Sequence, residues 1–271
     1  MPASKVEHHK FTSTASAYTI IGRANEDRFT LATLNDTIQM YGVYDGHGGK
    51  LVPEYLVENL STKFADAFVD VNFADEEQIK KIIEEVFIQV DETIDKDTRS
   101  GATCTVAFRN GNKLYVANVG DSRAIIFDSE GKVLLETPDH DGNNKSEQNR
   151  VKAAGGFVHY GRLEGHIAVT RSFGDFEYKH SGKKHDEYDP RGKMSIIPDV
   201  HVCEIDSGTL LLATDGLWDG EYEKSINVVK MIQGLSTDLD LNQRCEAITK
   251  KGYENYHSWI KDDITVILVQ L

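Results

Sequence analysis

Between Thr103 and Ala213 the chain reads as short β-favouring runs divided by tight polar turns. Strong helical periodicity falls in pairs, after the early strands and before the last one. The strand-helix-strand alternation of a doubly wound parallel sheet is missing. The pattern predicts mostly antiparallel sheets with helices packed outside them, an α+β architecture.

Individual signals support that reading. Tyr18–Gly22, Arg28–Leu34 and Ile38–Tyr44 are predicted strands. Pro53 fits the first turn of a helix whose apolar face is Val52, Leu56, Leu60, Phe64 and Phe68. Ile79, Ile82, Ile83, Val86, Phe87, Val90 and Ile94 keep helical 3-4 spacing. Asn110-Gly111 is a hairpin signal between Thr103–Phe108 and Lys113–Val119. Further strands are expected at Ala124–Phe127, Val133–Leu135, Phe157–Tyr160, His166–Thr170, Val200–Ile205, Thr209–Ala213 and Ile264–Val269. Helices are expected over Ser146–Ala154, about Glu221–Leu235 and about Leu241–His257. Phe176–Ile197 is polar and aperiodic, a long surface excursion of the kind that is often functional.

At 271 residues, with no Pro/Ser-rich linker, low-complexity run or internal repeat, one domain over 1–271 is expected. Lys and Arg number 30 against 44 Asp and Glu, a net charge of −14. That balance argues against general nucleic-acid or anionic-membrane binding. No apolar stretch reaches membrane-spanning length, and the polar Met1–Ser16 lacks a signal-peptide core. Cys104, Cys203 and Cys245 are odd in number and set in apolar contexts. They read as reduced core thiols of a cytoplasmic or nuclear protein.

Acidic residues recur where the apolar runs end: Glu26-Asp27, Asp45-Gly46-His47-Gly48-Gly49, Asp215-Gly216-Leu217-Trp218-Asp219 and Asp262-Asp263. Each alone has an ordinary explanation. Asp45-Gly46 could be a hairpin turn, Asp215 and Asp219 a helix-cap pair, Asp262 a turn residue and Glu26-Asp27 a surface pair. Several carboxylates brought to one place would repel unless cations sat among them. The economical reading is an all-oxygen cage for Mg²⁺ or Mn²⁺. The glycines after Asp45 let the backbone bend tightly and leave the Gly46 carbonyl free as a further oxygen ligand.

Taken in order, the motifs are specific. They are Gly22-Arg23 to Asp27, Val43 to Gly49, Gly101-Ala102-Thr103, Ala117 to Ala124, Asp139-His140, Ala154-Gly155-Gly156, Ala168 to Asp175, Ala213 to Asp219, and Asp262 to Val266. With them the chain resembles the metal-dependent protein serine/threonine phosphatases of type 2C over nearly its whole length. The resemblance implies a four-layer αββα fold, a central β-sandwich of two antiparallel sheets flanked by helix pairs. It implies a centre of two Mg²⁺ or Mn²⁺ ions bridged by Asp45. Asp215 and Asp262 would hold the first, Glu26 and the Gly46 carbonyl the second. Asp121 and Asp219 match positions that hold a weaker third ion in some relatives. Asp27 would orient a water held by the metals.

The implied reaction is direct hydrolysis of phosphoserine and phosphothreonine in proteins, by metal-activated water and without a phosphoenzyme intermediate. His47 would protonate the departing alkoxide. Arg23 is the implied phosphate clamp. It lies three residues before Glu26, whereas the family arginine usually lies four before its glutamate, so a bulge or altered turn must compensate. Lys183, Lys184, His185, Arg191 and Lys193 in the 176–197 excursion could meet acidic flanks of a substrate or simply be solvated. A monomer is the default. The rival readings are a catalytically impaired relative that binds a partner, and another two-metal enzyme such as a nuclease, which the lack of a basic stripe disfavours.

Overall fold

Two antiparallel sheets face each other in the computed structural model, which describes residues 6–10, 14–180, 187–218, 222–255 and 261–271. The six-stranded sheet runs in the order Val6–Lys10, Ala15–Ile20, Ile264–Gln270, Thr209–Ala213, Arg123–Phe127, Val133–Glu136. The five-stranded sheet runs Asp199–Glu204, Lys113–Val119, Cys104–Asn110, Ile38–Tyr44, Arg28–Thr33. Helices α1 (Leu51–Ala67) and α2 (Glu76–Thr93) cover the outer face of the five-stranded sheet. Helix α3 (Lys145–Ala153) lies at one end. Helices α4 (Ser225–Gln233) and α5 (Leu241–Asn255) cover the six-stranded sheet. The fold is a four-layer αββα sandwich.

The period of two explains why these strands read as continuous apolar runs. In Ile38–Tyr44, Ile38, Met40 and Tyr44 pack toward α1 and α2, while Tyr41 and Val43 enter the core between the sheets. In Thr209–Ala213, Leu211 and Ala213 face α4 and α5, while Leu210 and Leu212 face the opposing sheet. Both faces are buried, so both must be apolar. Each fully buried side chain of this kind contributes about 1.5–3 kcal/mol of transfer free energy. Helix starts follow local chemistry: the Asp75 carboxylate accepts from Gln78 N–H at the head of α2, and Asn144 accepts from Ser146 N–H at the head of α3.

Two differences from the sequence expectation stand out. Val6–Lys10 forms an edge strand against Ala15–Ile20. The expected strands at Phe157–Tyr160 and His166–Thr170 are replaced by a two-residue hairpin, Val158–His159 with Arg162–Leu163, and by isolated bridges such as Leu163↔Ile167. Tyr160, Gly161, Glu164 and Gly165 all sit at positive φ there, and turns that tight leave no length for extended pairing. The excursion after Phe176 is tied to the body, with Met194 and Ile196 fully buried.

A third, three-stranded sheet sits at the mouth of the sandwich. Gly46–His47 pairs with Gly101–Ala102, which pairs with Phe173–Gly174.

Candidate metal centre

The acidic motifs meet because strand ends of both sheets meet. Asp45 follows the strand Ile38–Tyr44 of one sheet, and Asp215 follows Thr209–Ala213 of the other. Asp262 and Asp263 precede Ile264–Gln270, the partner of Thr209–Ala213. Asp121 lies in the turn by which the chain passes from Lys113–Val119 to Arg123–Phe127, from one sheet to the other.

Asp45, Asp121 and Asp215 each offer a carboxylate oxygen, and these oxygens lie within 4.8 Å of one another. They line a cavity of about 450 Å³ that also takes in Glu26, Gly46, His47 and Asp262. A larger surface groove, about 1010 Å³, runs past Lys132–Pro138 and Lys224–Ile226. It holds none of this cluster, and its Asp139 is paired with Arg123 at 2.6 Å.

Hydrogen bonds fix the arrangement. Thr103 joins two of the acidic turns: its N–H donates to the Asp45 carbonyl at 2.9 Å, its Oγ1 accepts from Asp45 N–H at 3.2 Å, and Oγ1 meets Ser122 Oγ at 2.7 Å. The Glu26 carboxylate accepts from Gly49 N–H at 2.6 Å. Gly46 must be glycine, since a Cβ there would lie 2.7 Å from the Glu26 carbonyl oxygen. Gly48, at φ +67, packs against the Arg99 carbonyl. Asp263, buried, accepts from Gly22, Glu26 and Asp27 N–H at 2.7, 2.6 and 3.3 Å and so seats the Glu26 turn. Neither Thr103 nor Asp263 was assigned a role from sequence; Asp263 adjoins an equally acidic neighbour, and nothing in the chain tells the two apart.

The electrostatics are those of a cation site. Burial, then repulsion from Asp215, Asp27 and Asp121, pushes the Asp45 carboxyl well above the usual range. Burial and Asp215 do the same to Asp121. Burial and Asp215 raise Asp262 to about 6. A divalent cation among these oxygens would remove both costs, and an all-oxygen donor set suits a hard ion.

The remaining candidates are distributed as follows. Asp27 is buried behind Glu26, outside the cavity lining, and its Oδ2 accepts from Thr214 Oγ1 at 2.7 Å. Burial holds its carboxyl well above normal, against the Thr214 hydrogen bond. Arg23 is exposed and does not line the cavity, whereas Arg99 and Arg162 do. His47 Nε2 lies 2.7 Å from Asp175 Oδ2. Burial lowers the basicity of His47, but the charge and hydrogen bond of Asp175 outweigh it, and the imidazole is raised overall. Asp219, Lys183, Lys184 and His185 lie outside the described residues. The described bases of the excursion turn to the body: Arg191 pairs with Glu84, Lys193 with Glu164 at 3.3 Å, and Lys179 with Asp91 at 2.7 Å.

Comparison with known proteins agrees with this architecture. The sequence model of the Protein phosphatase 2C family matches residues 9–255. Protein phosphatase 2C homolog 2 of Hypocrea jecorina is 34% identical over 221 residues, covering 78% of this chain and 48% of the relative. The probable protein phosphatase 2C 56 of Oryza sativa subsp. japonica is 34% identical over 262 residues, covering 90% of this chain and 66% of the relative. A phosphatase crystal structure from a pathogenic strain of Toxoplasma gondii superposes with a TM-score of 0.79 at 18% identity, covering 98% of this chain and 96% of that one. A Caenorhabditis elegans sex-determining protein superposes with a TM-score of 0.76 at 21% identity, covering 97% and 66%. The chain belongs to the Protein phosphatase 2C family, which is metal-dependent. It spans about half the length of the first curated relatives it matches.

Proposed function

We propose that this chain is a metal-dependent phosphatase acting on phosphoserine and phosphothreonine in proteins. The observation that carries the reading is the convergence of Asp45, Asp121 and Asp215 oxygens within 4.8 Å in an open cavity. Asp45 would be shared by two Mg²⁺ or Mn²⁺ ions, with Asp215 and Asp262 on one and Glu26 and the Gly46 carbonyl on the other. Asp121, in the same tight group, and Asp219 are the candidates for a weaker third. When bound, such ions make water nucleophilic near neutral pH and neutralise phosphoryl charge.

The protein groups do the rest. Arg99 and Arg162 line the cavity and are the cations placed to meet phosphoryl oxygens. Arg23, exposed and outside the lining, is not in position for that task. His47 lies beside the carboxylates and donates a proton to the departing serine or threonine oxygen. Asp27, tied to Thr214, backs the Glu26 turn and helps orient solvent at the centre. No side-chain nucleophile is required, so no phosphoenzyme forms. Cys104, next to the Gly101-Ala102-Thr103 motif, is fully buried and pushed up by that burial.

The test is hydrolysis of an aryl phosphate and a phosphothreonine peptide with Mn²⁺, with EDTA, and with Asp45→Ala. Turnover that needs Mn²⁺ and is lost in the variant is expected. Turnover indifferent to chelation would discard the metal mechanism. No turnover in the intact chain with Mn²⁺ would favour a partner-binding relative.

A further inference from the structure

Asp175 closes the motif Ala168 to Asp175, yet the metal reading gives it no task. It is the side chain that holds His47. The two groups meet at 2.7 Å, with the histidine side chain 32% exposed and the carboxylate 5% exposed. Ser172 Oγ donates to the same Asp175 oxygen. His47 thus faces the cavity, and its nearly buried partner belongs to the same cavity wall.

The backbone is arranged for this meeting. His47 and Gly174 lie on the two outer strands of the small sheet, and both are paired with Gly101 on the strand between. A Cβ on Gly101 would lie 2.3 Å from Asp175 Oδ2 and 2.4 Å from His47 Nε2. The missing side chain is therefore the space in which the pair forms. Asp175 itself takes a left-handed conformation, φ 51° and ψ 40°, which few non-glycine residues adopt. Such conformations persist where the surroundings over-determine them, and they gather at functional sites. Here the surroundings are a buried anchor. Asp91 of α2 accepts from Gly174 N–H at 2.8 Å, from Lys179 Nζ at 2.7 Å on both oxygens, and from Tyr188 OH at 2.8 Å. Asp91 and Lys179 are fully buried. The residues on either side of Asp175 are thus locked to the helix layer.

We infer that Asp175 is the positioning residue of His47. It fixes the ring orientation and occupies Nε2, leaving Nδ1, which has no protein hydrogen bond among the described residues, as the nitrogen offered to the leaving oxygen. A carboxylate that orients an imidazole in this way sets which nitrogen acts without itself touching substrate. The inference rests on the reading of His47 as proton donor, and the experiment separates the two.

The experiment compares His47→Ala, Asp175→Ala, Asp175→Asn and the double Ala variant on a phosphoserine peptide and on 4-nitrophenyl phosphate, with Mn²⁺ affinity measured by calorimetry. The phenolate needs no proton to leave, whereas the serine alkoxide does. Asp175→Ala is expected to lose about 10- to 100-fold in kcat on the phosphopeptide and less than about 3-fold on the aryl ester. KM and Mn²⁺ affinity should stay within about twofold, and the double variant should be no worse than His47→Ala, as for residues acting as a unit. The imidazole ¹⁵N shifts of the metal-free protein should show loss of the Nε2 hydrogen bond in Asp175→Ala. Asp175→Asn keeps the volume and reads the same bias if the alanine variant misfolds. If His47→Ala shows the leaving-group bias and neither Asp175 variant does, Asp175 is merely structural and the inference is overturned. If His47→Ala loses both substrates equally, the proton-donor reading falls and takes this inference with it.

Discussion

Two groups of carboxylates sit in this sandwich, and the protein treats them in opposite ways. At the mouth, Asp45, Asp121 and Asp215 crowd together, and burial, then repulsion from neighbouring carboxylates, pushes the Asp45 and Asp121 carboxyls upward in pKa. Beside α3, Glu147 accepts from Arg150, Arg171 and Thr170, while Asp199 accepts from Arg171 at 2.8 Å and faces His140 at 3.1 Å. Burial would raise Glu147, but the Arg171 hydrogen bond and the Arg150 and Arg171 charges pull it down to about 2. The His140 hydrogen bond, then Arg171, depress Asp199 against its burial. One group carries its cations within the chain. The other is the group proposed to take them from outside. Acidic residues alone do not mark a site; carboxylates that burial and mutual repulsion push upward do.

The comparison can be broken or sharpened by substitution. The largest effect should come from Asp45→Ala, with turnover falling to the level of EDTA-treated protein and Mn²⁺ binding lost by calorimetry. Glu147→Ala should leave metal binding intact but cost about 3–5 kcal/mol of stability in urea titrations, since two arginines lose their buried partner. Acid should act on the same group. A carboxylate with a folded-state pKa of about 2 adds stability above its unfolded value of about 4.5 and loses it as pH falls toward 2. That loss, up to about 3 kcal/mol, should vanish in Glu147→Gln. Asp121→Asn should do the reverse of a Glu147 variant: in metal-free protein it relieves repulsion and raises stability by about 1 kcal/mol. A destabilised Asp121→Asn would show that the cluster is held together by the chain itself. The smallest effect belongs to Arg23→Ala. Its exposed position predicts a change in KM for phosphopeptide of less than about twofold, whereas a clamp would cost tenfold or more.

Much of this was legible in the chain, for physical reasons. Buried strands announce themselves as apolar runs, and Asn110-Gly111 turned where a hairpin must, with Gly111 at φ +61. The edge strand Val6–Lys10 did not, because Val-Glu-His-His-Lys carries no apolar alternation and extends only by pairing with Ala15–Ile20. At the site, the acids at strand ends could be picked out because glycine and apolar runs frame them. The Asp175–His47 pair could not, since 128 residues separate its members and only the small sheet joins them. Arg23 shows the opposite limit. Its motif was readable, but its side chain is exposed and does not line the cavity.

The most direct measurement is anomalous diffraction from crystals grown with Mn²⁺. Two peaks flanking the Asp45 carboxylate, one beside Asp215 and Asp262 and the other beside Glu26 and the Gly46 carbonyl, are the predicted result. Carboxylates turned away from one another, with no peak between them, would contradict it.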